Sequence, residues 1–191
     1  MNWISRVTPP GLSTWLNKKD TPENLWGKWP SSGELVYKTD LEESWHVTPA
    51  GAHLRISPRT RFRMFFDDER WEPIALPTVA LDPLKFRDSK PYPAHQKAAK
   101  AKIAGREKAE TQGGGAPVQQ DDCMAAAFGK LDGVPTVVLV QDFAFMGGSL
   151  GMAAGEAFVA AAQMAVELKS ALVVCTASGG ARMQEGMLSQ M

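Results

Sequence analysis

Two glycine-rich stretches are the residues of this chain best suited to chemistry. Met146-Gly-Gly-Ser-Leu-Gly151 and Ser178-Gly179-Gly180 each follow an apolar run that predicts a strand and precede a run that predicts a helix. Ligands collect at such strand ends in open α/β folds. Glycine allows close approach of the backbone to a ligand, and N–H groups at a helix start favour negative charge. These turns are therefore candidate ligand-binding positions.

The chemistry that such turns can perform is stabilisation of an oxyanion. Two N–H donors aimed at one point stabilise an oxygen that becomes negative during a reaction. Gly179 and Gly180 are placed for that role, and Gly147 and Gly148 could form a second donor surface. Taken alone, the pattern favours a geometric reason for these glycines, because a tight strand-to-helix turn commonly requires one.

The elements that must position the turns alternate between strand and helix from residue 118 onward. Asp132-Gly133 predicts a hairpin turn between the first two strands. The predicted elements are strands over 118–131 and 134–145, a helix over 152–169, a buried strand over 171–177 and a helix that begins near Ala181. This alternation predicts the α/β class.

Helical spacing assigns an apolar face to the helix over 152–169. That face contains Gly155, Phe158, Val159, Ala162 and Val166, with Glu156, Gln163 and Glu167 opposite. Upstream, residues 58–72 predict a short helix with Phe62, Phe65 and Phe66 inward, residues 73–95 an extended segment, and residues 96–110 a second helix.

Composition excludes several classes of protein. The 191 residues carry no net charge, which does not favour a nucleic-acid coat or a membrane-binding polybasic segment. No apolar run approaches the roughly 20 residues of a membrane span, and the first 20 residues lack the apolar centre of a secretion signal. Cys123 and Cys175 lie in apolar runs and are expected to be reduced thiols in a cytoplasmic protein.

Basic residues concentrate between Lys85 and Lys108. Eight lysines and arginines stand there against Asp88 and Glu107, giving 8 − 2 = +6: Lys85, Arg87, Lys90, Lys97, Lys100, Lys102, Arg106 and Lys108. Such a block suits a ligand that carries phosphates, or else forms a solvated helix face.

Three segments carry a resemblance to a known family. LDPLKFRDSKPY (81–92), DFAFMGGSLG (142–151) and TASGGARMQEG (176–186) resemble the signature segments of the bacterial acetyl-CoA carboxylase carboxyltransferase β subunit, in the same order and spacing. The resemblance runs from Thr21 to Met191. It implies a partial crotonase-like spiral of ββα units. Because the last predicted helix has no cap or breaker, we expect the chain to be part of a longer subunit.

The resemblance also implies an activity and its partners. The family transfers the carboxyl group of carboxybiotin to acetyl-CoA and so forms malonyl-CoA for fatty-acid biosynthesis. Biotin is supplied on a biotin carboxyl carrier protein and charged by biotin carboxylase. A carboxyltransferase α subunit completes the active site in an α2β2 assembly. No cofactor is expected to bind this chain directly.

Roles for individual residues follow from the same resemblance. Gly179 and Gly180 match the positions whose backbone N–H groups stabilise the enolate of the thioester. Gly147, Gly148 and Arg182 are the expected substrate contacts near the turns, and Arg182 could instead contact the α subunit. Lys85 and Arg87 are the expected contacts to the phosphates of CoA, while Gln184 and Glu185 could be helix surface.

The zinc ribbon that usually begins such subunits is present only in outline. Trp29, Ser32, Thr48 and Gly51 stand at the four cysteine positions, so zinc is predicted to be absent. An alternative site would use His46, His53 and Glu42 or Glu43. Packing of Trp26, Trp29, Tyr37 and Trp45 is expected to replace the metal. The acidic balance of residues 21–57 does not favour nucleic-acid binding.

The predicted organisation has three parts. Residues 1–20 form an arm, 21–57 a ribbon-like module without metal ligands, and 58–191 the first part of the carboxyltransferase domain. Three rival functions remain open: a carboxyltransferase for another acyl-CoA such as propionyl-CoA, a hydrolase with Ser178 as nucleophile, and an inactive fragment that acts as an interaction module.

Overall fold

The computed structural model describes residues 26–28, 33, 35–111 and 116–190. Contacts divide the chain into two compact units, Met1–Arg55 and Ile56–Met191. The three-part division stays a prediction, because its first segment lies outside the described residues. Within the described ranges, no helix is long and apolar enough to cross a membrane.

The first unit contains a small antiparallel hairpin. Strand β1, Trp26–Lys28, pairs with β2, Leu35–Tyr37, and helix α1, Lys38–Glu43, follows directly. The rings of Trp26 and Tyr37 contact each other across the hairpin, with centroids 5.3 Å apart. Beyond α1, the described residues of this unit form only a single bridge, between Val47 and His53.

The aromatic side chains of this unit do not pack as predicted. Trp45 and Trp26 are each 60% exposed, so the expectation that they fill the interior in place of a metal is wrong. Trp45 has a left-handed backbone conformation in the turn after α1, and this turn directs its side chain to solvent. Trp29 lies outside the described residues.

The second unit is built on a four-stranded mixed sheet in the order β3-β4-β5-β6. β3 and β5 pair antiparallel with β4, whereas β6 pairs parallel to β5. The strands are β3 Trp71–Ile74, β4 Met124–Leu131, β5 Val134–Gln141 and β6 Ala171–Cys175; the α-helices are α2 Pro58–Phe65, α3 Tyr92–Thr111 and α4 Met152–Glu167. The predicted α/β class is confirmed, and β4-β5-α4 is the expected ββα unit.

Strand β5 supplies both faces of the hydrophobic core. Val137 and Leu139 pack toward α4, while Val138 and Val140 pack on the other face against Phe62. This alternation follows from the two-residue period of a strand. Strand β5 is therefore buried on both faces over most of its length.

The hairpin between β4 and β5 turns at the predicted residues. Asp132 and Gly133 both have positive φ values, 50° and 76°, as a two-residue hairpin loop of this kind requires. The carboxylate of Asp67 accepts their two N–H groups at 2.9 and 2.8 Å. Asp67 follows α2, so this contact ties the α2 segment to the hairpin.

Two predicted helices have different boundaries in the structure. Helix α2 ends at Phe65, and Phe62 and Phe66 are buried, whereas Phe65 is only half-buried. Trp71 and Glu72, which the sequence assigned to the helix over 58–72, instead begin strand β3. Helix α3 begins at Tyr92, four residues before the predicted 96.

The buried face of α4 differs from the predicted one. Its core residues are Ala154, Ala157, Ala161 and Ala165. Phe158, Val159 and Val166 are exposed by 47%, 49% and 78%, so the assignment of this larger apolar face to the core is wrong. Alanines let the helix axis lie close to the sheet, which larger side chains on that face would prevent.

The prediction of an α-helix at the end of the chain is also wrong. A 3₁₀ segment, Met183–Gln190, replaces the α-helix expected from Ala181, and Gly186 interrupts it with φ 55° and ψ −136°. The preceding strand β6 is only half-buried instead of buried.

Candidate active site at the two glycine turns

The two glycine turns lie side by side. They follow β5 and β6, which are parallel neighbours, so their carboxyl ends reach the same edge of the sheet. Hydrogen bonds join the turns directly: Gly179 N–H donates to Gly147 O at 2.9 Å, and Leu150 N–H donates to Gly180 O at 2.8 Å. The sequence prediction that both turns contribute to one site is compatible with this placement.

Close packing explains the glycine at position 148. A Cβ placed there would lie 2.0 Å from the carbonyl oxygen of Ala177, and the residue has a φ of +62°. Gly148 is also buried, and its N–H donates to Phe145 O at 2.8 Å. Gly148, a predicted substrate contact, is therefore less accessible to a substrate than the sequence indicated.

The buried side chain of Gln141 connects the two turns. Its Nε2 donates to Gly148 O at 2.7 Å, and its Oε1 accepts the N–H of Ala177 at 3.1 Å. The side chain is 4% exposed. Because one amide satisfies a carbonyl of the first turn and an N–H of the second, it fixes their relative position.

The predicted oxyanion donors already have acceptors within the chain. Gly179 N–H donates to Gly147 O, and Gly180 N–H donates to the hydroxyl of Ser178 at 3.0 Å. Gly179, Gly180 and Ser178 are all exposed. An anionic oxygen would have to share or replace these acceptors, and the exposed Ser178 hydroxyl can rotate away.

Arg182 does not lie at the surface of the site. It is fully buried and donates to both carboxylate oxygens of Asp122, at 2.7 and 2.5 Å. The same guanidinium donates to the backbone oxygen of Ser149 at 2.8 Å and to its hydroxyl at 3.1 Å. Burial lowers the pKa of Arg182, but its contacts with Asp122 outweigh this and raise the pKa overall. The predicted position in the first turn of a final helix is wrong.

Glu185 is a second buried charge that the sequence interpretation left as possible helix surface. It is 1% exposed. Its Oε2 accepts the N–H of Met152 at 2.6 Å and so caps α4. Its Oε1 accepts the hydroxyl of Tyr92 at 2.5 Å and lies 3.3 Å from Arg182 Nη1. Burial, and next the bond to Glu185, raise the pKa of Tyr92.

The N-terminus of α4 is therefore already occupied by a carboxylate of this chain. Gly151 is its N-cap, and a Cβ there would lie 2.7 Å from Glu185 Oε2. Only a residue without a side chain allows this approach. The partners Tyr92 and Asp122 could not be identified from sequence, because long stretches of chain separate them from Arg182.

Arg106, from the basic block, also contacts a buried carboxylate. Its guanidinium donates to both oxygens of Asp142, which follows β5 and is 2% exposed. Burial raises the pKa of Asp142, but the bond from Arg106 outweighs it and leaves the pKa below its usual value. Lys100 pairs with Asp121 at 3.6 Å. These two residues are thus paired inside the chain.

Lys85 and Arg87 lie in the exposed segment before α3. Lys85 has a φ of 51°, and Arg87 forms a bridge with Pro91. Leu84, next to Lys85, packs beside Gly186, where a Cβ would lie 3.2 Å from its Cδ1. This segment therefore runs past the 3₁₀ segment that follows the second glycine turn.

A cavity of about 1070 Å³ opens beside the turns. Its lining is mostly apolar and includes Leu150, Ser178 and Ala181 from the turns, Phe158 and Val159 from α4, and Leu188. The exposed apolar face of α4 is thus one wall of this cavity.

The described zinc-ribbon positions do not fit a metal. Thr48 is buried, and its hydroxyl accepts the N–H of Ala52 at 3.0 Å, while Gly51 N–H donates to Thr48 O. Neither residue offers a thiolate or an imidazole. In the part of the chain that the structure describes, no three His, Cys, Asp or Glu side chains gather as metal ligands. The absence of zinc stays a prediction, since Trp29 and Ser32 lie outside that part.

Both cysteines are free thiols. Cys123 is buried and Cys175 is half-buried. Burial, followed by the charge of Asp122, raises the pKa of Cys123 to about 12. This matches the expectation of unpaired thiols.

Comparison with known proteins relates this chain to carboxyl transferases. Residues 102–191 match the family model described as the carboxyl transferase domain. A β subunit of acetyl-coenzyme A carboxylase carboxyl transferase from Hyphomonas neptunium is 73% identical over all 191 residues, which cover 59% of that protein. The corresponding subunit of Hirschia baltica is 58% identical, with 51% of its length covered.

Among solved structures, the transcarboxylase 12S complex with bound methylmalonyl-coenzyme A matches 71% of this chain and 21% of its own, at 20% identity and a TM-score of 0.45. Over its full length the chain is similar to β subunits of acetyl-coenzyme A carboxylase carboxyl transferase. It spans between half and three-fifths of the length of the curated relatives named above.

Proposed function

We propose that the protein containing this chain transfers a carboxyl group from carboxybiotin to acetyl-CoA and forms malonyl-CoA. The observation that carries the proposal is the pair of hydrogen-bonded glycine turns beside an apolar cavity. These turns lie in a chain 73% identical to a β subunit of acetyl-coenzyme A carboxylase carboxyl transferase. The carried biotin supplies the carboxyl group and a ureido nitrogen that accepts the acetyl proton.

The task of this chain in the proposed reaction is to stabilise negative charge on the thioester oxygen. Gly179 and Gly180 are the proposed donors. Their exposure supports the role, and the Ser178 hydroxyl can yield its place on Gly180 N–H to the thioester oxygen. The apolar cavity suits the thioester and the arm that follows it.

The remaining substrate contacts are proposed at the edges of the site. Gly147 lies at the rim of the first turn, and Lys85 and Arg87 provide exposed positive charge for the phosphates of CoA. Arg182 and Gly148, which were also expected to contact substrate, are buried.

The proposed partners are those that the family implies. A carboxyltransferase α subunit completes the site, a biotin carboxyl carrier protein delivers the carboxyl group, and biotin carboxylase charges that carrier. We propose an α2β2 assembly in the cytoplasm. No zinc is proposed to take part.

Reconstitution of the full-length subunit with its α subunit and carboxylated carrier tests the function. Malonyl-CoA is expected from acetyl-CoA, with a higher kcat/KM than the product from propionyl-CoA, and no product without the α subunit. A preference for propionyl-CoA would move the assignment to another acyl-CoA. Absence of any carboxylated product would favour the interaction module. Thioester hydrolysis that is lost in a Ser178→Ala variant would favour a hydrolase.

A further inference from the structure

Three sequence segments that look independent converge on one buried side chain. The segment 81–92 contributes Tyr92, the segment 142–151 contributes Ser149 and Phe145, and the segment 176–186 contributes Arg182 and Glu185. Asp122, just before β4, supplies the main counter-charge. All these groups contact the guanidinium of Arg182.

Arg182 lies two residues after the second glycine turn, and its contacts reach the first. Its backbone N–H donates to Leu150 O at 2.7 Å, and its side chain donates to Ser149 O at 2.8 Å, so one residue beside the second turn holds two carbonyls of the first. The Phe145 ring lies 5.3 Å from the guanidinium carbon on the side of the first turn. Movement of Arg182 would therefore move one turn relative to the other.

We infer that Arg182 is a positioning residue, which sets the spacing of the two glycine turns instead of binding substrate. The inference rests on the proposed function, since the turns hold the proposed enolate donors. Only a planar guanidinium can bond Asp122 with two parallel N–H groups and still donate to Ser149, so lysine cannot replace it. Asp122, Tyr92 and Glu185 act through Arg182 by fixing its orientation.

The test uses the full-length subunit in its complex, with the variants Arg182→Lys and Tyr92→Phe. Arg182→Lys is expected to lower kcat at least about tenfold and change the KM for acetyl-CoA less than about threefold, because transition-state contacts are lost while binding is kept. Tyr92→Phe removes one hydroxyl, keeps the ring and folds more readily. It is expected to lower kcat about threefold, again with the KM kept.

Arg59→Lys provides a matched control. Arg59 is 2% exposed and pairs with Glu107 at 2.6 Å, so this change disturbs a comparable buried ion pair in the same compact unit. Stability is expected to fall in both lysine variants, but kcat only in Arg182→Lys. Hydrogen exchange gives a readout independent of activity: the amides of Leu150 and Gly179, which bond between the turns, should exchange faster in Arg182→Lys and not in Arg59→Lys.

Each outcome decides the inference. Suppose that Arg182→Lys raises the KM for acetyl-CoA at unchanged kcat, and that the KM for acetyl-pantetheine does not rise. This result would show that Arg182 binds the nucleotide and would overturn the inference. Wild-type kcat and KM in both folded variants would overturn it as well. If the wild-type complex carboxylates no acyl-CoA, the proposed function fails, and exchange alone decides: faster exchange in both turns supports positioning, and unchanged exchange contradicts it.

Discussion

At the scale of single residues, several side chains of the candidate site act on other parts of the chain. Gln141 bonds backbone groups at both turns, Glu185 caps the helix α4 that follows the first turn, and Arg182 holds two carbonyls of the first turn. A glycine-rich turn has few side chains with which to hold its own shape. The buried polar residues around it supply that restraint.

Gly148 is the residue where this restraint is tightest. Gly148→Ala is expected to destabilise the full-length subunit by about 2–5 kcal/mol, from a left-handed conformation that disfavours side chains and from overpacking against Ala177. Urea unfolding measures the loss. Gly105→Ala is the control, because Gly105 lies in α3 with open space at its Cβ, and this change should stabilise by up to about 1 kcal/mol. Equal stability of Gly148→Ala and wild type would contradict the packing argument.

The sequence predicted where the turns lie but not which residues hold them. Glycine after an apolar run is a local signal, so Gly147, Gly148, Gly179 and Gly180 could be placed. The family resemblance assigned Arg182 to a contact with substrate or with the α subunit. Its true partner, Asp122, lies sixty positions away, and only the fold brings the two together.

At the scale of elements, strands β4, β5 and β6 were predictable, whereas strand β3 and the packing of α4 were not. Continuous apolar runs and Asp132-Gly133 identify β4 and β5 from local sequence. Hydrophobic spacing alone favoured the face with Phe158 and Val166, but a helix that crosses close over a sheet packs through small side chains. The alanine face is therefore buried, and Phe158 and Val159 of the other face line the cavity.

The turn at Thr48 carries a prediction about metal. Its hydroxyl and carbonyl close the turn at a position where a zinc ligand is expected in the family, so the module is expected to fold without metal. Elemental analysis of the purified full-length subunit should find far less than one zinc per chain, and a chelator should leave its unfolding temperature unchanged. About one zinc per chain that is lost together with stability on chelation would contradict the prediction.

At the scale of the whole molecule, the family could be recognised from three short segments, and the structure explains why they belong together. Each contributes a group to the surroundings of Arg182 or to the paired turns. The apolar wall of the cavity, with Phe158 and Val159, could not be anticipated, because its exposure depends on which face of α4 meets the sheet.

The central claim is that backbone N–H donors of the second turn stabilise the enolate. Turnover of Gly179→Pro in the reconstituted complex tests it most directly, since proline removes the N–H. Gly179→Ala is the control: it keeps the N–H and adds only a Cβ 3.0 Å from Gly147 O. We predict that kcat falls about 10²–10³-fold in the proline variant and less than about tenfold in the alanine variant, with the KM for acetyl-CoA largely kept in both. Equal turnover of the proline variant and wild type would contradict the account.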